Sequence, residues 1–311
     1  VRHINMIPKR IEMPVQVEEI LGKLREHGYE AFAVGGCVRD AILGRIPGDW
    51  DITTSAHPEE VKQVFGHTID TGLQHGTVTV MRDHIGYEIT TYRIDGEYED
   101  GRHPKEVVFT AELREDLRRR DFTINAMAYS HETGIVDIFG GAEDLAARRI
   151  RCVGDAGERF TEDALRILRA VRFSAQLGFS IEKKTWQALC ELAPSLVHVS
   201  KERVQVELTK TLLSDRPEFI WKTEAAGLAP YISKTFPEVF AAWKKQKSCA
   251  KQRLEEKVYS KDVPAADKDA IKTETVAQQG HMFVKHECET DMAGEISAAA
   301  AHLPAEKALR W

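Results

Sequence analysis

Hydrophobic residues recur with two different periods along the chain, which predicts two kinds of structure. Up to about Val153, short apolar runs end at glycines, and segments such as 77–82 and 87–93 alternate apolar and polar residues. Such alternation is typical of half-buried strands. Beyond that point the apolar residues follow helical spacing, with Gly178 and Gly227 as predicted helix stops. The pattern therefore predicts an α+β protein, with a small mixed sheet in its N-terminal part and an all-helical region after it.

The same patterns predict the individual elements. Strands are predicted at residues 31–34, 50–53, 77–82, 87–93 and 135–139. Helices are predicted at residues 17–27, 38–43, 58–65, 113–128, 162–177, 184–192, 201–213 and 217–226. A polar, glycine-containing segment at 95–104 is predicted to be a mobile loop. We expect three regions, which are a mixed α/β part over 1–153, a helical part over 154–240, and a charged, weakly patterned helical or irregular part over 241–311.

Composition adds a few bounds to this picture. With 311 residues and a formal net charge of −6, the chain can hold two or more domains and is not basic overall. A nucleic-acid partner remains compatible with this charge, because phosphate contacts need only a local basic surface. Five scattered cysteines without a CxxC pair favour a reducing cytoplasm. No apolar run approaches transmembrane length and no signal-peptide pattern opens the chain, so no membrane partner is expected. The oligomeric state stays open.

Two carboxylates, Asp49 and Asp51, are the strongest chemical signal, and we place them on the strand at 50–53. Residues two apart on a strand share a face, and adjacent carboxylates repel unless a cation lies between them. Oxygen ligands suit Mg²⁺, which usually takes one or two carboxylates and substrate phosphates. Gly35 and Gly36 precede a predicted helix and can present backbone N–H groups to a triphosphate. Glu88 on a neighbouring strand is a candidate third carboxylate, although an isolated Asp-x-Asp is more often a solvated strand edge.

Arginines at two places in the mixed α/β part are candidates to bind phosphate. Arg39, just inside the helix after the glycines, has the reach to form a bidentate contact with a phosphate; the alternative is a surface arginine paired with Asp40. Three arginines at 118–120 precede an apolar stretch and are candidates to bind phosphate or RNA, and Asn125 is a candidate to hydrogen-bond a ribose hydroxyl. The alternative for this segment is a charged helix start, with Asp121 favoured by the helix macrodipole.

Asp163, Arg166, Arg169 and Arg172 recur at every third position of the predicted helix at 162–177 and so share one broad side. A carboxylate accepts a hydrogen bond from an exocyclic amine, and a guanidinium donates to ring acceptors. Cytosine and adenine carry an amine on the Watson–Crick edge, whereas uracil and guanine carry a carbonyl there. An Asp/Arg pair is therefore able to select C and A, at roughly 1–3 kcal/mol per good pair. The alternative is a salt-bridged, solvated helix face.

The chain resembles the nucleotidyltransferase superfamily of bacterial CCA-adding tRNA nucleotidyltransferases and poly(A) polymerases over about residues 17–231. The resemblance rests on motifs in the family's order, which are GGCVRD, GDWDI, HGTVTV, YEITTYR, RRRDFTINAMA, FGGAEDL, RFTEDALRILRAVRF and SKERVQVE. It implies that residues 1–153 are a nucleotidyltransferase head, that 154–240 are a helical neck and body, and that 241–311 are a tail. It also implies Mg²⁺ at Asp49 and Asp51, with Glu88 as the third carboxylate.

The resemblance further implies a role for each remaining candidate. The residues expected to hold the nucleotide are Gly36, Arg39 and Arg120. Those expected near its ribose are Asp121 and Asn125. The protein template for the base is expected to be Asp163 and Arg166. Contacts to the triphosphate, or bracing of the pocket, are implied for Arg169 and Arg172. Helical support of the template is implied for Glu162, Arg203 and Glu207.

The function implied is the addition of CMP, CMP and AMP to the 3′ end of tRNA, with CTP and ATP as substrates. The segment at 95–104 resembles the flexible loop associated with the final A addition, apart from His103, where relatives often carry a second arginine. The alternatives are a poly(A) polymerase that uses ATP alone and a catalytically idle RNA-binding protein. The tail shows no family pattern after about Phe240. Residues 303–311 resemble the approach to an HD phosphohydrolase domain, so we expect a truncated form of a longer protein.

Overall fold

A computed structural model describes residues 8, 10–96, 107–238 and 241 of the chain. Most of the loop expected at 95–104, including His103, and almost all of the expected tail therefore lie outside the described residues. The strands of the described part are β1 Ala31–Val34, β2 Ile52–Thr54, β3 Thr68–Gly72, β4 Thr77–Arg82, β5 Ile85–Thr91, β6 Arg93–Asp95, β7 Val107–Phe109, β8 Met127–Ser130, β9 Gly134–Asp137, β10 Arg149–Ile150 and β11 Ser180–Ile181.

The helices belong to two groups, one around the sheet and one after it. Those of the first group are α1 Val15–Glu26, α2 Gly36–Ile42, α3 Pro58–Val64, α4 Leu113–Arg118 and α5 Gly141–Ala146. Those of the second group are α6 Ala156–Glu162, α7 Leu165–Leu177, α8 Lys183–Glu191, α9 Lys201–Leu212, α10 Trp221–Ala225 and α11 Ala229–Ile232. Short 3₁₀ turns lie at Leu73–His75, Thr123–Asn125, Ala193–His198 and Pro217–Ile220. The predicted α+β architecture, a head with a mixed sheet and then helices, is confirmed.

Seven strands form the main sheet, in the order β3-β4-β5-β2-β1-β8-β9. Only β2 and β5 run parallel, and their register pairs Ile52 with Ile89. The central strand β1 pairs antiparallel with β2 on one side and with β8 on the other. All four residues of β1 are buried, because alternate side chains point to two different hydrophobic clusters on the two faces of the sheet. Both faces of this strand are therefore covered.

The larger hydrophobic cluster joins the head to the helical region. It contains the apolar face of α1, the inward residues of the sheet and most of the apolar residues of α7. A second link is the parallel pair of β10 and β11, in which Arg149 pairs with Ser180. Since β10 precedes α6 and β11 follows α7, this pair holds the ends of the α6–α7 segment beside the head. No helix among the described residues is long and apolar enough to cross a bilayer.

The helix predicted at 113–128 is wrong in its second half. Helix α4 ends at Arg118, a 3₁₀ turn follows, and Met127 begins β8. Met127 and Tyr129 belong to the larger cluster and Ala128 to the smaller one, and β8 pairs with β1 and with β9. Burial on both faces and two ladders of hydrogen bonds outweigh the helical propensity of the segment.

Smaller differences concern turns and short strands. The connection predicted between 82 and 87 is shorter, because Asp83 and His84 form a two-residue turn with positive φ of 49° and 65°, and β5 begins at Ile85. Such turns match the twist of a hairpin. Prediction from periodicity missed β3, β6, β7, β10 and β11, which are five residues long or shorter and so carry too few alternations to stand out.

Gly141 offers a test of the packing that positions the 3₁₀ turn at 123–125. A Cβ there would lie 2.3 Å from the carbonyl oxygen of Thr123 and 2.9 Å from Cγ of Met127. We expect Gly141→Ala to lower the free energy of unfolding by about 1–3 kcal/mol, because the backbone of the turn must move. The measurement is urea denaturation.

The matched control is Gly22→Ala in the middle of α1, where no heavy atom lies within 4 Å of the added carbon. This variant should gain roughly 0.5–1 kcal/mol, since alanine favours a helix over glycine. An equal effect of the two substitutions would contradict the packing argument.

Candidate active site

A cavity of about 460 Å³ opens between the head and the helical region. It is strongly charged, since seven arginines and four aspartates line it. The lining residues are Gly35, Gly36, Arg39, Asp49, Asp51, Arg119, Arg120, Asp121, Asn125, Asp163, Leu165, Arg166, Arg169, Arg172, Phe173 and Arg203. Three candidates from the sequence, Glu88, Glu162 and Glu207, are not part of this lining.

Asp49 and Asp51 precede β2 rather than lying on it, because the strand begins at Ile52. The strand predicted at 50–53 is therefore displaced, yet the expected alternation survives, since Trp50 and Ile52 are buried and both aspartates are exposed. The backbone carbonyl of Asp51 accepts a 3.0 Å hydrogen bond from the amide of Val34. The chain is thus extended beside β1 at this point, and the two carboxylates share a side.

Repulsion among three carboxylates is visible at Asp51. Desolvation in the cleft and the charge of Asp49 raise the pKa of Asp51; Arg120 opposes the rise, and Glu88 adds to it. Glu88 lies on β5 one residue before Ile89, the partner of Ile52, so the register brings it beside Asp51. The three candidate carboxylates therefore share one electrostatic environment, although Glu88 stands outside the cavity wall.

Asp49 and Asp51 differ from the other acids of the cavity in their partners. Asp121 and Asp163 each form an ion pair with an arginine. Within the described part of the chain, neither Asp49 nor Asp51 has an ion pair or a side-chain hydrogen bond. The same residues contain no cluster of three or more acidic, His or Cys side chains that forms a metal site. Two adjacent carboxylates without an ion pair in the described part of the chain fit a divalent ion that completes its coordination with substrate phosphates and water.

Gly35 forms the turn between β1 and α2. Its φ is +84°, and a Cβ at this position would lie 2.9 Å from Nη1 of Arg120. Its amide donates a 3.1 Å hydrogen bond to the carbonyl of Met127 in β8. The positive φ favours glycine here, and the absence of a Cβ lets the guanidinium of Arg120 pack against the backbone without shifting. The turn thus places Gly36 and Arg120 at the same wall of the cavity.

Asp116 was missed by the sequence analysis, and it organises the arginines beside the carboxylates. Its side chain is fully buried and accepts hydrogen bonds from Arg119 (2.7 and 3.0 Å), Arg120 (3.3 Å) and the hydroxyl of Thr53 (3.1 Å). Burial raises the pKa of Asp116, but Arg119 and Arg120 bring it below its usual value. The spacing of three and four residues to these arginines on a helix was the signal that could have found it.

Arg39 is engaged on both sides. Its Nε and Nη2 donate to the two carboxylate oxygens of Asp40 at 2.9 and 2.7 Å, and its Nη1 donates to Oδ1 of Asn125 at 2.6 Å. The side-chain Nδ2 of Asn125 in turn donates to Oδ1 of Asp121 at 3.1 Å. Arg39 therefore pairs with Asp40, as the alternative hypothesis expected, and also lines the cavity, as the phosphate-binding hypothesis expected.

Asp121 connects the head to α7. Burial would raise its pKa, but the charge of Arg169 and the hydrogen bond from Asn125 lower the pKa of Asp121 to about 2. Arg169 reaches it from α7 with its Nε at 2.8 Å. The expected helix start around Asp121 is absent, since the residue precedes a 3₁₀ turn. The carboxylate instead accepts the Phe122 amide at 2.8 Å.

Asp163 lies between two helices and not within one, so the helix predicted at 162–177 is wrong at its start and is confirmed from Leu165 onward. Helix α6 ends at Glu162, and Asp163 has φ −143° and ψ 103°. Its Oδ1 accepts a 3.0 Å hydrogen bond from the amide of Leu165, which closes the first turn of α7. Its Oδ2 accepts 2.8 Å from Arg203 of α9. A spacing of three residues along one helix therefore does not explain why Asp163 lies near the arginines of α7.

Arg166 projects toward the same wall as Asp163 and is also held by the protein. Its Nη1 donates to Oε2 of Glu162 at 2.6 Å and its Nη2 to the carbonyl of Arg119 at 3.0 Å. Glu162 also accepts from Arg159. Arg172 is fixed by Glu207 of α9, whose Oε2 accepts its Nε at 2.5 Å. Glu207 thus contacts Arg172 and not the Asp163/Arg166 pair.

The arginines of α7 do not form a solvated face. Arg166 and Arg172 are buried, and Phe173, the residue after Arg172, lines the cavity with them. Sequence analysis assigned Phe173 no part in the site. Its position directly after an arginine series was the available signal, but an aromatic at helical spacing is usually a core residue.

Comparison with known families supports this description. Residues 31–151 match the family described as the poly A polymerase head domain, and residues 178–234 match the probable RNA and SrmB-binding site of polymerase A. The two matches define the class of the fold and its cleft as a nucleotidyltransferase head followed by a helical region.

Individual relatives are more specific. A CCA-adding enzyme of Leuconostoc mesenteroides is 54% identical over 202 residues, which are 65% of this chain and 50% of that protein. One from Geobacillus thermodenitrificans is 53% identical over 214 residues, 68% of this chain and 53% of that protein. The crystal structure of the Bacillus stearothermophilus CCA-adding enzyme in complex with CTP is 44% identical, with a TM-score of 0.67, over 71% of this chain and 54% of that one.

A tRNA nucleotidyltransferase solved with a primer tRNA and an incoming ATP analog is 29% identical, with a TM-score of 0.59, over 73% of this chain and 67% of that one. The chain therefore belongs to the family of bacterial CCA-adding tRNA nucleotidyltransferases and poly(A) polymerases. CCA-adding nucleotidyltransferases generally use divalent metal ions. The chain spans about half the length of the curated relatives it matches.

Asp51→Asn tests the electrostatics of the carboxylates. Folding raises the pKa of Asp51, so its ionised form opposes folding, and the cost appears as pH rises through the interval between the unfolded and the folded pKa. We expect the variant to have a higher thermal unfolding midpoint at neutral pH. The gain should disappear below about pH 4, where the carboxyl is protonated in both states.

Asp163→Asn is the control, because that carboxylate is paired with Arg203 and accepts the Leu165 amide. Its midpoint should fall at neutral pH. If Asp51→Asn melted at the same temperature as the unsubstituted protein or below it, the proposed repulsion among the carboxylates would be refuted.

Proposed function

We propose that the chain carries out template-independent nucleotidyl transfer, adding CMP, CMP and AMP to the 3′ end of tRNA from CTP and ATP. The observation that carries this proposal is that one cavity is lined both by the unpaired carboxylates Asp49 and Asp51 and by the Asp163/Arg166 pair. The first pair suits phosphate chemistry and the second suits base selection. The names of the relatives, CCA-adding enzymes at about 50% identity, support the same reaction.

In this proposal Mg²⁺ is the metal, held by Asp49 and Asp51 with Glu88 beside them. When bound, such an ion lowers the pKa of the attacking 3′-hydroxyl and neutralises charge on the phosphates. The chain's own residues orient the nucleotide. Gly35 and Gly36 present backbone to the phosphates, Arg39 and Arg120 lie at the same wall, and Asn125 with Asp121 forms the polar surface proposed for the ribose.

Selection of the base is proposed to rest on Asp163 and Arg166. Both are fixed from behind, Asp163 by Arg203 and the Leu165 amide, and Arg166 by Glu162. Each carboxylate oxygen has a second lone pair, so Asp163 is able to accept an exocyclic amine as well. A rigid acceptor beside a rigid donor favours cytosine and adenine over uracil and guanine. Arg169 and Arg172 are placed to contact the triphosphate, and Glu207 holds Arg172.

The RNA partner is proposed to be tRNA, which a solved relative binds as a primer, and the helical region 178–234 that matches a probable RNA-binding site supports this. The head over 1–153, the neck and body over 154–240 and the tail beyond are proposed as the functional regions. A cytoplasmic location belongs to the same proposal, since Cys37, Cys152 and Cys190 are free thiols.

The direct test incubates the purified chain and Mg²⁺ with tRNA lacking its last three nucleotides and with each nucleoside triphosphate in turn. CTP alone should add two residues, CTP with ATP three, and extension should then stop. The Asp49→Ala, Asp51→Ala double variant should incorporate neither. Long tails from ATP alone would instead identify a poly(A) polymerase, and tRNA binding without incorporation would identify an idle RNA-binding protein.

Asp163→Ala tests base selection separately from chemistry. Removal of the acceptor for the exocyclic amine should raise the ratio of UTP to CTP incorporation by about tenfold or more, consistent with roughly 1–3 kcal/mol per contact. The readout is kcat/KM for each triphosphate on tRNA lacking its last three nucleotides. Equal loss for all four nucleotides would show that Asp163 supports the fold of the cleft but does not read the base.

A further inference from the structure

Three guanidinium groups converge on one aromatic ring in the wall of the cavity. The Cζ atoms of Arg172, Arg39 and Arg169 lie 3.9, 5.1 and 5.3 Å from the centroid of the Phe173 ring. Arg39 comes from α2 of the head, while the other two share α7 with Phe173. The ring is only 5% exposed. Cations within about 6 Å of a ring centroid are attracted by its quadrupole, most strongly when water is excluded.

Each of these arginines is held by its own acid. Asp40 accepts from Arg39, Asp121 from Arg169 and Glu207 from Arg172. The acids fix the three guanidiniums at their edges from α2, from the segment between α4 and the 3₁₀ turn at 123–125, and from α9. The Phe173 ring is a contact that all three cations share. It therefore sets their distance from each other as well as from the cavity.

Mutual repulsion makes this arrangement costly without the ring. Desolvation lowers the pKa of Arg172, Glu207 opposes this and the charge of Arg169 adds to it. An aliphatic side chain of similar size would keep the apolar contact but would offer no negative face to the cations. The second contact of the ring, an edge-to-face packing on Phe122 at 5.8 Å, ties it to the base of the head.

We propose that Phe173 is a positioning residue that holds Arg39, Arg169 and Arg172 as one preformed cationic surface for the triphosphate of the incoming nucleotide. This inference rests on the proposed nucleotidyl transfer and deepens it. Because phosphates are common to CTP and ATP, Phe173 acts on both substrates alike. Base selection by Asp163 and Arg166 stays separate from it.

The first experiment measures dissociation constants for CTP, ATP and inorganic tripolyphosphate by isothermal titration calorimetry, without tRNA. Phe173→Leu should weaken all three by a similar factor of about ten, since it removes the shared cation–π contacts. The control is Phe160→Leu, a buried phenylalanine of α6 that is not among the described residues lining the cavity. Phe160→Leu should change each of the three dissociation constants by no more than about twofold. It should nevertheless lower the free energy of unfolding, because it removes a buried aromatic ring from the core.

The second experiment separates electrostatics from packing. Phenylalanine analogues with one, two and three ring fluorines are placed at position 173, which weakens the negative face of the ring in steps at nearly constant shape. The constant for tripolyphosphate should rise with each fluorine, while circular dichroism and the unfolding midpoint stay constant. A flat series, or a loss confined to one nucleotide, would overturn the inference.

The outcomes distinguish this inference from the proposed function. Graded triphosphate binding together with failure to extend tRNA would retain the role of Phe173 and reject CCA addition. Normal CCA addition, together with a tripolyphosphate dissociation constant that does not change with fluorination, would retain CCA addition and reject the role of Phe173. Absence of tripolyphosphate binding by the unsubstituted protein would overturn the inference whatever the tRNA assay shows.

Discussion

The ion pair between Asp121 of the head and Arg169 of α7 is the interaction on which the cleft depends. Asp121 is buried, keeps its charge through Arg169 and Asn125, and has a pKa of about 2. The carboxylate is buried and the guanidinium is half-buried on a separate segment, so loss of the guanidinium would leave an uncompensated buried charge. The wall of the cleft that belongs to the head and the wall that belongs to the helices are thereby held in one geometry. Backbone carbonyls of Arg118 and Arg119, which accept from Arg159 and Arg166, extend the same junction.

Around that junction, the acids are paired with arginines, whereas the carboxylates of the proposed chemistry are not. Asp116, Asp121, Asp163 and Glu207 each satisfy one or two arginines, so the pairs rigidify the site at little net charge. Asp49 and Asp51 have no such partner in the described part of the chain, and repulsion raises the pKa of Asp51. A perturbed carboxylate of this kind is typical of sites that bind a cation or a substrate.

Much of this site follows from local sequence signals. The Gly35–Gly36 turn, the Asp49/Asp51 alternation and the arginine series were identified as motifs, and sixteen residues, most of them named in advance, line one cavity. Other features required the three-dimensional contacts. Met127 follows a helical stretch but enters a strand because two neighbouring strands pair with it. Asp163 occupies a break between helices because Arg203 and the Leu165 amide hold its carboxylate there.

The sequence by itself determined the class of fold and the kinds of groups in the site, because periodicity and short motifs are local properties of the chain. Only the tertiary structure decided which of those groups neutralise one another. Asp116 pairs with two nearby arginines and a strand hydroxyl, whereas Asp51 forms no ion pair in the described part of the chain. Phe173 became part of the site because α2 brings Arg39 to its ring from 134 positions earlier in the chain. Electrostatic balance depends on distances between remote segments, and those distances are set by packing.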